Sequence, residues 1–292
     1  MKKAVILGCE NSHADSFLDL ISNRSEFSDT EIIGVYSDEI DACLKLKEKY
    51  GVGIMDSYDE AVGYTDGVII TARHGGKHLK YALPYIESSV PMFIDKPITV
   101  SESDALELAK RLKAANVKVT GGSSLRLDPI IEQLRADVTD TVDGRTLGGL
   151  VRAPLASDSA YGGFFFYAQH LCEMVMEIFG RYPSSVKAYK AADQTTVIFR
   201  YGNYDVTGVF VEHGYSCYYA SRFSENRITG SQIDLANSPC FYKEFKEFHE
   251  LLNGGEPKTT YKDFIAPVFV MNAILRSLES GSEEKVNEIE NI

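Results

Sequence analysis

Two basic side chains, Lys96 and His170, have the chemistry needed to move a proton and to stabilise negative charge on an alcohol oxygen. Oxidation of an alcohol carbon requires a base for the hydroxyl proton and a positive group beside the developing alkoxide. Imidazole titrates near neutral pH, so His170 suits the proton transfer and Lys96 suits the electrostatic role. We therefore predict that both face one shared pocket. The alternatives are a surface lysine beside a turn and a histidine satisfied within an apolar core.

Polar neighbours of His170 are candidates for binding a substrate. Glu173 lies three residues further along a predicted helix, where it can orient the imidazole or bind a substrate hydroxyl. Tyr167, three residues before His170, carries a hydroxyl that can donate to a substrate oxygen. A metal would require further close-spaced ligands beside His170 and Glu173, and the widely separated cysteines form no CxxC pair. We predict no metal site.

The turn after the first predicted strand reads Gly8-Cys9-Glu10-Asn11-Ser12-His13. A dinucleotide-binding turn usually reads Gly-x-Gly-x-x-Gly, so that backbone N–H groups approach a pyrophosphate at a helix N-terminus. Here only Gly8 is kept, and the Glu10 carboxylate repels phosphates. Asn11 and Ser12 can still cap the helix or donate to an anion. The turn predicts either a shifted mode of nucleotide binding or its loss.

An acid follows the second predicted strand, in Ser37-Asp38. Its carboxylate can accept hydrogen bonds from the hydroxyls of an adenosine ribose, and no arginine follows that would hold a 2′-phosphate. If a nicotinamide cofactor binds, we expect NAD in preference to NADP, with Ser37 and Asp38 at its ribose. Asp38 is equally typical of an ordinary helix start.

Residues 1–121, which we assign to one domain, alternate short β-branched runs with stretches of helical period. This pattern is typical of a doubly wound parallel sheet of the Rossmann type. It places Lys96 at the carboxyl end of a strand, where such sheets bind ligands. The predicted strands are Ala4–Leu7, Glu31–Tyr36, Gly67–Ile70, Pro91–Ile94 and Val117–Thr120. The predicted helices are Ser12–Ile21, Ile40–Tyr50, Lys77–Glu87 and Asp104–Ala115.

Residues 122–292 are predicted to form an α+β domain with an open, mainly antiparallel sheet. Alternating apolar residues separated by turn signals predict an antiparallel meander. Its strands are Val186–Lys190, Thr195–Tyr201, Asp205–Glu212 and Ser216–Arg222. The predicted helices are Pro129–Val138, Phe165–Phe179, Tyr242–Leu252 and Tyr261–Leu278. The last two would pack on this sheet or return to the first domain.

Composition narrows the class of partner. The chain has 292 residues, which is enough for two domains, and a formal charge of -12, which repels nucleic acid and anionic membranes. The short apolar run after Met1 is too brief for a signal-peptide core or a membrane span. We expect a cytoplasmic protein with reduced cysteines and a small-molecule substrate, and neither a nucleic-acid nor a membrane partner.

Three segments carry a resemblance that spans nearly the whole chain. Phe93-Ile94-Asp95-Lys96-Pro97 resembles a strand ending in Glu-Lys-Pro, and the ending, Phe248 to Pro257 followed by Ala273 to Ser277, is similar to a pair of closing helices. Gly162-Gly163 is followed by an aromatic run that ends at Tyr167, and then by His170. This order is similar to a Gly-Gly run followed by Asp-x-Gly-x-His-x-x-Asp, in which Tyr167 replaces the first aspartate. These are motifs of the glucose-fructose oxidoreductase, inositol dehydrogenase and rhizopine catabolism (Gfo/Idh/MocA) family.

The resemblance implies a function and further site residues. Members are NAD(P)-dependent oxidoreductases that act on sugars, cyclic polyols and related alcohols or ketones by hydride transfer, and Lys96 and His170 fall on their catalytic residues. The implied cofactor contacts are Asp95, Lys96, Thr71 and His78, and the implied substrate contact is Arg126. For His78 the alternative is an exposed residue at a helix start, and for Arg126 it is a structural ion pair.

Two other functions remain open because the glycine turn departs from the pattern. One is a ligand-binding or regulatory protein that kept the scaffold and binds nicotinamide weakly or not at all. The other is a lyase or glycosidase that recycles its bound NAD. In either case the resemblance implies a homodimer or homotetramer formed through the C-terminal sheet.

Overall fold

The computed structural model describes residues 1–139, 142–214, 216–290 and 292, and the chain forms two compact units. The first unit comprises Met1–Gly122, Phe241–Phe264 and Ile292, and the second comprises Ser123–Cys240 and Ile265–Asn291. The α-helices of the described residues are α1 Ser12–Asn23, α2 Ile40–Tyr50, α3 His78–Glu87, α4 Glu102–Ala114, α5 Pro129–Thr139, α6 Phe165–Phe179, α7 Cys240–Leu252 and α8 Tyr261–Ser280. No described helix combines the length and apolar character needed to span a membrane.

A five-stranded parallel sheet forms the centre of the first unit, with the strand order β2-β1-β3-β4-β5. Its strands are β1 Lys2–Leu7, β2 Thr30–Tyr36, β3 Gly67–Ile70, β4 Met92–Asp95 and β5 Val119–Gly122. The residues of β3, β4 and β5 are all buried because both faces of a parallel sheet are covered. The predicted doubly wound sheet is confirmed.

Aromatic packing joins α1 and α7 to this sheet. Phe17 of α1 lies edge-on to Phe93 of β4, with ring centroids 5.1 Å apart, and Phe245 of α7 packs against Phe17 at 5.4 Å. All three side chains are fully buried within one apolar cluster. Burial of each such ring contributes roughly 2 to 3 kcal/mol of transfer free energy, so α7 helps to hold α1 in place.

The second unit contains a seven-stranded mixed sheet with the order β11-β10-β6-β9-β8-β7-β12. The strands are β6 Thr146–Pro154, β7 Ser185–Lys190, β8 Gln194–Tyr201, β9 Tyr204–Val211, β10 Tyr218–Ser224, β11 Ile228–Ile233 and β12 Glu284–Lys285. Only the pair formed by β6 and β9 is parallel among these described strands, so the predicted open, mainly antiparallel sheet is confirmed.

The predicted meander is correct for β7, β8 and β9 and wrong for β10. Strand β6 lies between β9 and β10, and the sequence analysis did not predict β6. The reason is visible at Gly148 and Gly149, which interrupt the alternation of apolar residues that identifies a strand. A Cβ atom on Gly149 would lie 2.2 Å from the Phe179 ring, so this glycine makes room for the end of α6.

Helix α6 has the bounds that the sequence predicts, Phe165–Phe179, and it packs on β6 and β9. Every residue from Ala168 to Phe179 is buried, including the polar Gln169, His170 and Glu173. Buried polar groups need hydrogen-bond partners, and their partners define the second half of the candidate site.

Candidate functional site

Gly8 makes the turn between β1 and α1 against the end of β3. Its φ angle is +79°, and a Cβ atom there would lie 2.2 Å from Ala72 Cα, so both the backbone conformation and the space require glycine. The Thr71 hydroxyl donates to Gly8 O at 3.1 Å, and Thr71 N donates to Leu7 O at 2.8 Å. Thr71, a predicted cofactor contact, is fully buried and holds the ends of β1 and β3 together.

Asp95 connects the start of α1 to the end of β4. Asn11 is the N-cap of α1: its side-chain oxygen accepts from His13 N at 3.2 Å, while Nδ2 donates to Asp95 Oδ2 at 2.8 Å. The other Asp95 oxygen accepts from Lys96 N at 2.7 Å. Ser12 is exposed at the first helical position. Thus Asn11, Asp95 and Lys96, three predicted site residues, form one hydrogen-bonded group at the carboxyl edge of the sheet.

Two residues that the sequence analysis did not assign to this group complete it. His13 Nδ1 lies 3.0 Å from Asp95 Oδ2 and 4.0 Å from Glu244 Oε2, and both carboxyl side chains are inaccessible to solvent. Burial lowers the pKa of Lys96, and the charges of Asp95 and Glu244 oppose that shift. Burial alone would raise the pKa of Asp95, but His13 and then Lys96 bring it below its ordinary value.

The donor atoms of His13, Asp95 and Glu244 approach within 4.8 Å of one another, and no other such group occurs among the described residues. The two carboxylates face two basic side chains, His13 and Lys96. These three side chains are also of the types that bind metal ions, so the absence of a metal site stays a prediction.

Glu10 extends sideways from the turn between β1 and α1. Its Oε2 accepts from the Ser37 hydroxyl at 2.6 Å, and its Oε1 accepts from Arg73 N at 3.1 Å. The Glu10 carboxylate therefore ties together the segments that follow β1, β2 and β3. Ser37, predicted at a ribose, is buried and also accepts from Glu39 N at 3.1 Å.

Asp38 presents a half-exposed carboxylate at the end of β2, where the sequence predicts a ribose contact. Tyr36 donates to Oδ1 at 2.8 Å, and Tyr81 and Lys77 donate to Oδ2 at 3.2 and 2.8 Å. The bond from the Lys77 ammonium, followed by the bond from Tyr36, lowers the pKa of Asp38. Asp38 is therefore ionised at neutral pH and already oriented by three donors.

His78 is fully buried at the start of α3, so its side chain is not the exposed residue of the alternative interpretation. Its Nε2 lies 2.7 Å from Ala72 O, and burial lowers its pKa. A neutral imidazole is therefore expected at neutral pH. This contact stabilises the loop after β3 through a buried hydrogen bond. The predicted contact of His78 with a cofactor stays a prediction.

In the second unit, His170 faces Ser123 across a short hydrogen bond. The Ser123 hydroxyl oxygen lies 2.7 Å from His170 Nδ1, and Ser123 N donates to Glu173 Oε2 at 2.8 Å. The second Glu173 oxygen accepts from Gln169 Nε2 at 2.6 Å. Burial raises the pKa of Glu173 to about 7, and Arg126 is the leading group that opposes the rise.

Aromatic rings flank His170. The Tyr167 ring centroid lies 5.7 Å from the imidazole centroid, and Tyr218 of β10 approaches edge-on at 5.9 Å. Tyr167 is half-buried, whereas Glu173 and Arg126 are buried, so Tyr167 is the most accessible of the three predicted substrate contacts. Arg126 is buried beside Glu173, which agrees with its alternative as a structural partner of an acid.

The predicted residues thus fall into two groups, each described within its own unit. One contains Gly8, Asn11, Ser12, Ser37, Asp38, Thr71, His78, Asp95 and Lys96, and the other contains Arg126, Tyr167, His170 and Glu173. Their joint action stays a prediction. Ser123 was missed, although a hydroxyl directly after a buried strand is a recognisable signal. Glu244 carried no signal because its partner His13 lies more than two hundred residues away in the sequence.

The first unit resembles a known family in sequence. Residues 2–123 match the sequence model of the Gfo/Idh/MocA family, described as an oxidoreductase family with an NAD-binding Rossmann fold. Over these residues the chain is similar to that family. No curated protein sequence matches the chain.

Solved structures similar to the whole chain include several dehydrogenases. Myo-inositol dehydrogenase from Corynebacterium glutamicum is 17% identical with a TM-score of 0.81, covering 99% of this chain and 100% of its own. Scyllo-inositol dehydrogenase from Lactobacillus casei, solved with NAD(H) and scyllo-inositol, is 15% identical with a TM-score of 0.83, covering 98% and 99%. GenD2 from gentamicin A biosynthesis, solved with NAD, is 14% identical with a TM-score of 0.85, covering 98% and 97%. At these identities the likeness shows a shared fold.

Proposed function

We propose that the protein is an NAD-dependent oxidoreductase that transfers hydride to or from a sugar, a cyclic polyol or a related small alcohol or ketone. The observation that carries the proposal is the hydrogen-bonded group of Asn11, Asp95 and Lys96. It joins the N-terminus of the first helix, which suits an anionic pyrophosphate, to a buried lysine at the end of a central strand. Lys96 joins this group through its backbone N–H, which supports a helix start and a lysine side chain that act at the same edge of the sheet.

The first unit fits an adenine dinucleotide with unmodified ribose hydroxyls. The positive φ of Gly8 turns the chain into α1, and Ser12 is exposed where a pyrophosphate would meet the helix start. The half-exposed Asp38 carboxylate accepts ribose hydroxyls and repels a 2′-phosphate, which favours NAD over NADP. Glu10 is compatible with binding because Ser37 and Arg73 N hold its carboxylate to one side.

The chemistry divides between the two basic residues. Bound NAD supplies the hydride acceptor at its nicotinamide ring. The buried ammonium of Lys96 stabilises negative charge on the substrate oxygen, and a low-dielectric setting strengthens that interaction. His170 takes the hydroxyl proton during oxidation and returns it during reduction. Tyr167 donates a hydrogen bond to a substrate oxygen and so orients the alcohol.

The substrate class follows from the fold and from these side chains together. Inositols appear in the names of two of the similar structures given above, and a polyhydroxylated ring suits a site rich in hydroxyl, imidazole and ammonium donors. We expect the protein to act in the cytoplasm as a homodimer or homotetramer formed through the sheet of the second unit.

NADH binding and turnover test this function. We expect NADH fluorescence to change saturably when purified protein is added, and NAD reduction to occur with at least one member of a panel of inositols and sugars. No saturable signal at millimolar NADH would contradict the proposal and leave a ligand-binding or regulatory protein. Saturable binding with substrate turnover but no net change in NADH would instead indicate a lyase or glycosidase that recycles the cofactor.

A further inference from the structure

The geometry points to Ser123 as a positioning residue that fixes which nitrogen of His170 carries the proton. Ser123 Oγ lies 2.7 Å from His170 Nδ1, and the serine is fully buried. In this inference, which rests on the proposed function, Ser123 accepts a hydrogen bond from Nδ1–H. The lone pair of the neutral imidazole then resides on Nε2.

The position of Ser123 is itself determined by the helix that carries His170. Ser123 N donates to Glu173 Oε2 at 2.8 Å, and Glu173 Oε1 accepts from Gln169 Nε2 at 2.6 Å. Glu173 follows His170 by three residues and Gln169 precedes it by one, so all three side chains belong to one turn of α6. The backbone of Ser123 is therefore held against the same turn that presents the imidazole.

This arrangement matters because a neutral histidine is a base at only one of its two nitrogens. The hydrogen bond at one ring nitrogen sets which nitrogen is protonated. With Nδ1–H donated to Ser123, Nε2 accepts the proton of an alcohol as the hydride leaves its carbon, and the ring becomes an imidazolium. In the reverse direction Nε2–H returns the proton to the ketone oxygen, and Nδ1–H stays in place throughout.

A hydroxyl partner also differs from the carboxylate that accompanies many catalytic histidines. A carboxylate adds a full negative charge beside the ring, whereas a serine supplies an acceptor without net charge. The Tyr167 and Tyr218 rings flank the imidazole at 5.7 and 5.9 Å between centroids and limit its rotation. Ser123, Tyr167 and Tyr218, which orient the imidazole in this inference, are all neutral side chains.

Histidine ring ¹⁵N spectra of the full-length protein test the inference without relying on activity. The His170 resonances are assigned by their loss in His170→Gln. At a pH where the ring is neutral, we expect the wild type to carry its proton on Nδ1. Ser123→Ala should move the proton toward Nε2, Ser123→Thr should retain the wild-type pattern, and Ser124→Ala, which truncates the adjacent buried serine, should change nothing.

Kinetics provide the second measurement. We expect Ser123→Ala to lower kcat by about 10- to 100-fold with KM nearly unchanged, because the proton acceptor is misoriented in the reacting complex. Ser123→Thr should restore most of kcat. A wild-type ring that carries its proton on Nε2, or a Ser123→Ala protein with unaltered ring spectrum and kcat, overturns the inference.

The two proposals fail in distinguishable ways. If the wild type oxidises no alcohol, the proposed function fails, and the ring spectrum still decides whether Ser123 controls the tautomer. If Ser123→Ala does not fold, the wild-type spectrum alone decides, since it must show the proton on Nδ1.

Discussion

Asp95 and Glu173 are both enclosed carboxyl groups, yet their pKa values move in opposite directions. Burial would raise both, but the charges of His13 and Lys96 bring the pKa of Asp95 below its ordinary value. Arg126 only partly opposes the effect of burial on Glu173, whose pKa rises to about 7. At the scale of single residues, the nearest charges decide whether a buried acid is ionised.

Glu173 gives a prediction on stability and pH. Its pKa is raised from 4.5 to about 7 in the folded protein, so between these values the unfolded chain releases a proton that the folded protein keeps. The free energy of unfolding therefore falls as pH rises through this window, by about 3 kcal/mol in total. Glu173→Gln should lack this fall. Urea unfolding of both proteins at pH 5 and pH 8 measures it, and parallel changes in the two proteins would contradict the assignment.

Lys96→Met tests the role of the buried ammonium. We expect turnover to fall by about a thousandfold, since a positive group at the substrate oxygen is removed. The melting temperature should fall as well, because Asp95 and Glu244 lose a compensating charge. Rates are therefore compared well below both melting temperatures. Lys118→Met, which removes an ammonium that binds Gly254 and Gly255 carbonyls, should leave the rate unchanged. Wild-type turnover in Lys96→Met would refute the role.

Glu10→Gln tests the charge in the glycine turn. Removal of one negative charge near the expected pyrophosphate should tighten NADH binding by about threefold to tenfold at low salt, and less at high salt. The variant should also lose about 1 kcal/mol of stability, because the amide nitrogen cannot accept from Ser37 or Arg73 N. Fluorescence titration measures the affinity. Glu48→Gln makes the same change of net charge on the exposed face of α2, and equal effects of both would show a general charge effect only.

At the scale of elements, the start of α1 combines capping with attachment to β4. Asn11 uses its side-chain oxygen for the helix and its nitrogen for Asp95. A serine at this position can still cap the helix, but its short side chain lacks the second donor. The two functions of Asn11 can therefore be separated by substitution.

Asn11→Ala should lose both contributions, and Asn11→Ser should lose only the bond to Asp95. The cap is worth about 1 kcal/mol and a hydrogen bond to a charged group about 1.5 to 3 kcal/mol. For a protein of this size each kcal/mol shifts the melting temperature by roughly 2 to 4 °C. Thermal unfolding should therefore rank wild type above Asn11→Ser and Asn11→Ser above Asn11→Ala. Equal melting of the two variants would show that the cap contributes nothing.

Sequence patterns predict some of the helices and strands and miss others. Helices α2 and α6 have their predicted bounds because each carries a continuous apolar periodicity. Strand β6 was missed because Gly148 and Gly149 remove that periodicity, although neighbouring strands and α6 determine its place in the sheet. Local patterns therefore identify helices and strands that have a regular apolar face of their own. They fail for a strand such as β6, whose place is determined by the elements that pack against it.

At the scale of the whole molecule, we expect the subunits of a homodimer or homotetramer to contact one another through the sheet of the second unit. Phe223 of β10 and Ile228 of β11 form a cross-strand pair and are 37% and 74% exposed. Paired residues share one face of a sheet, so the two side chains form an exposed apolar surface. Such surfaces are typical of contacts between subunits.

We expect light scattering after size-exclusion chromatography to show a dimer or tetramer for the wild type. Phe223→Glu should reduce the oligomer, because a buried unpaired carboxylate in an interface is unfavourable. Tyr64→Glu, at an exposed tyrosine of the first unit, should leave the mass unchanged. A monomeric wild type would contradict the expected oligomer, and an oligomeric Phe223→Glu protein would place the interface elsewhere.

Periodicity was sufficient to predict the parallel sheet and most helices, and strand-end chemistry and the motif around Lys96 singled out Lys96 and His170, whose roles stay predictions. Such elements and motifs can be predicted because they depend on residues that are close together in the sequence, and these neighbouring residues determine the local conformation. The partners of those residues were decided by tertiary structure alone. Ser123 meets His170, and Glu244 meets His13, across long sequence separations, and only packing of the elements brings such atoms together.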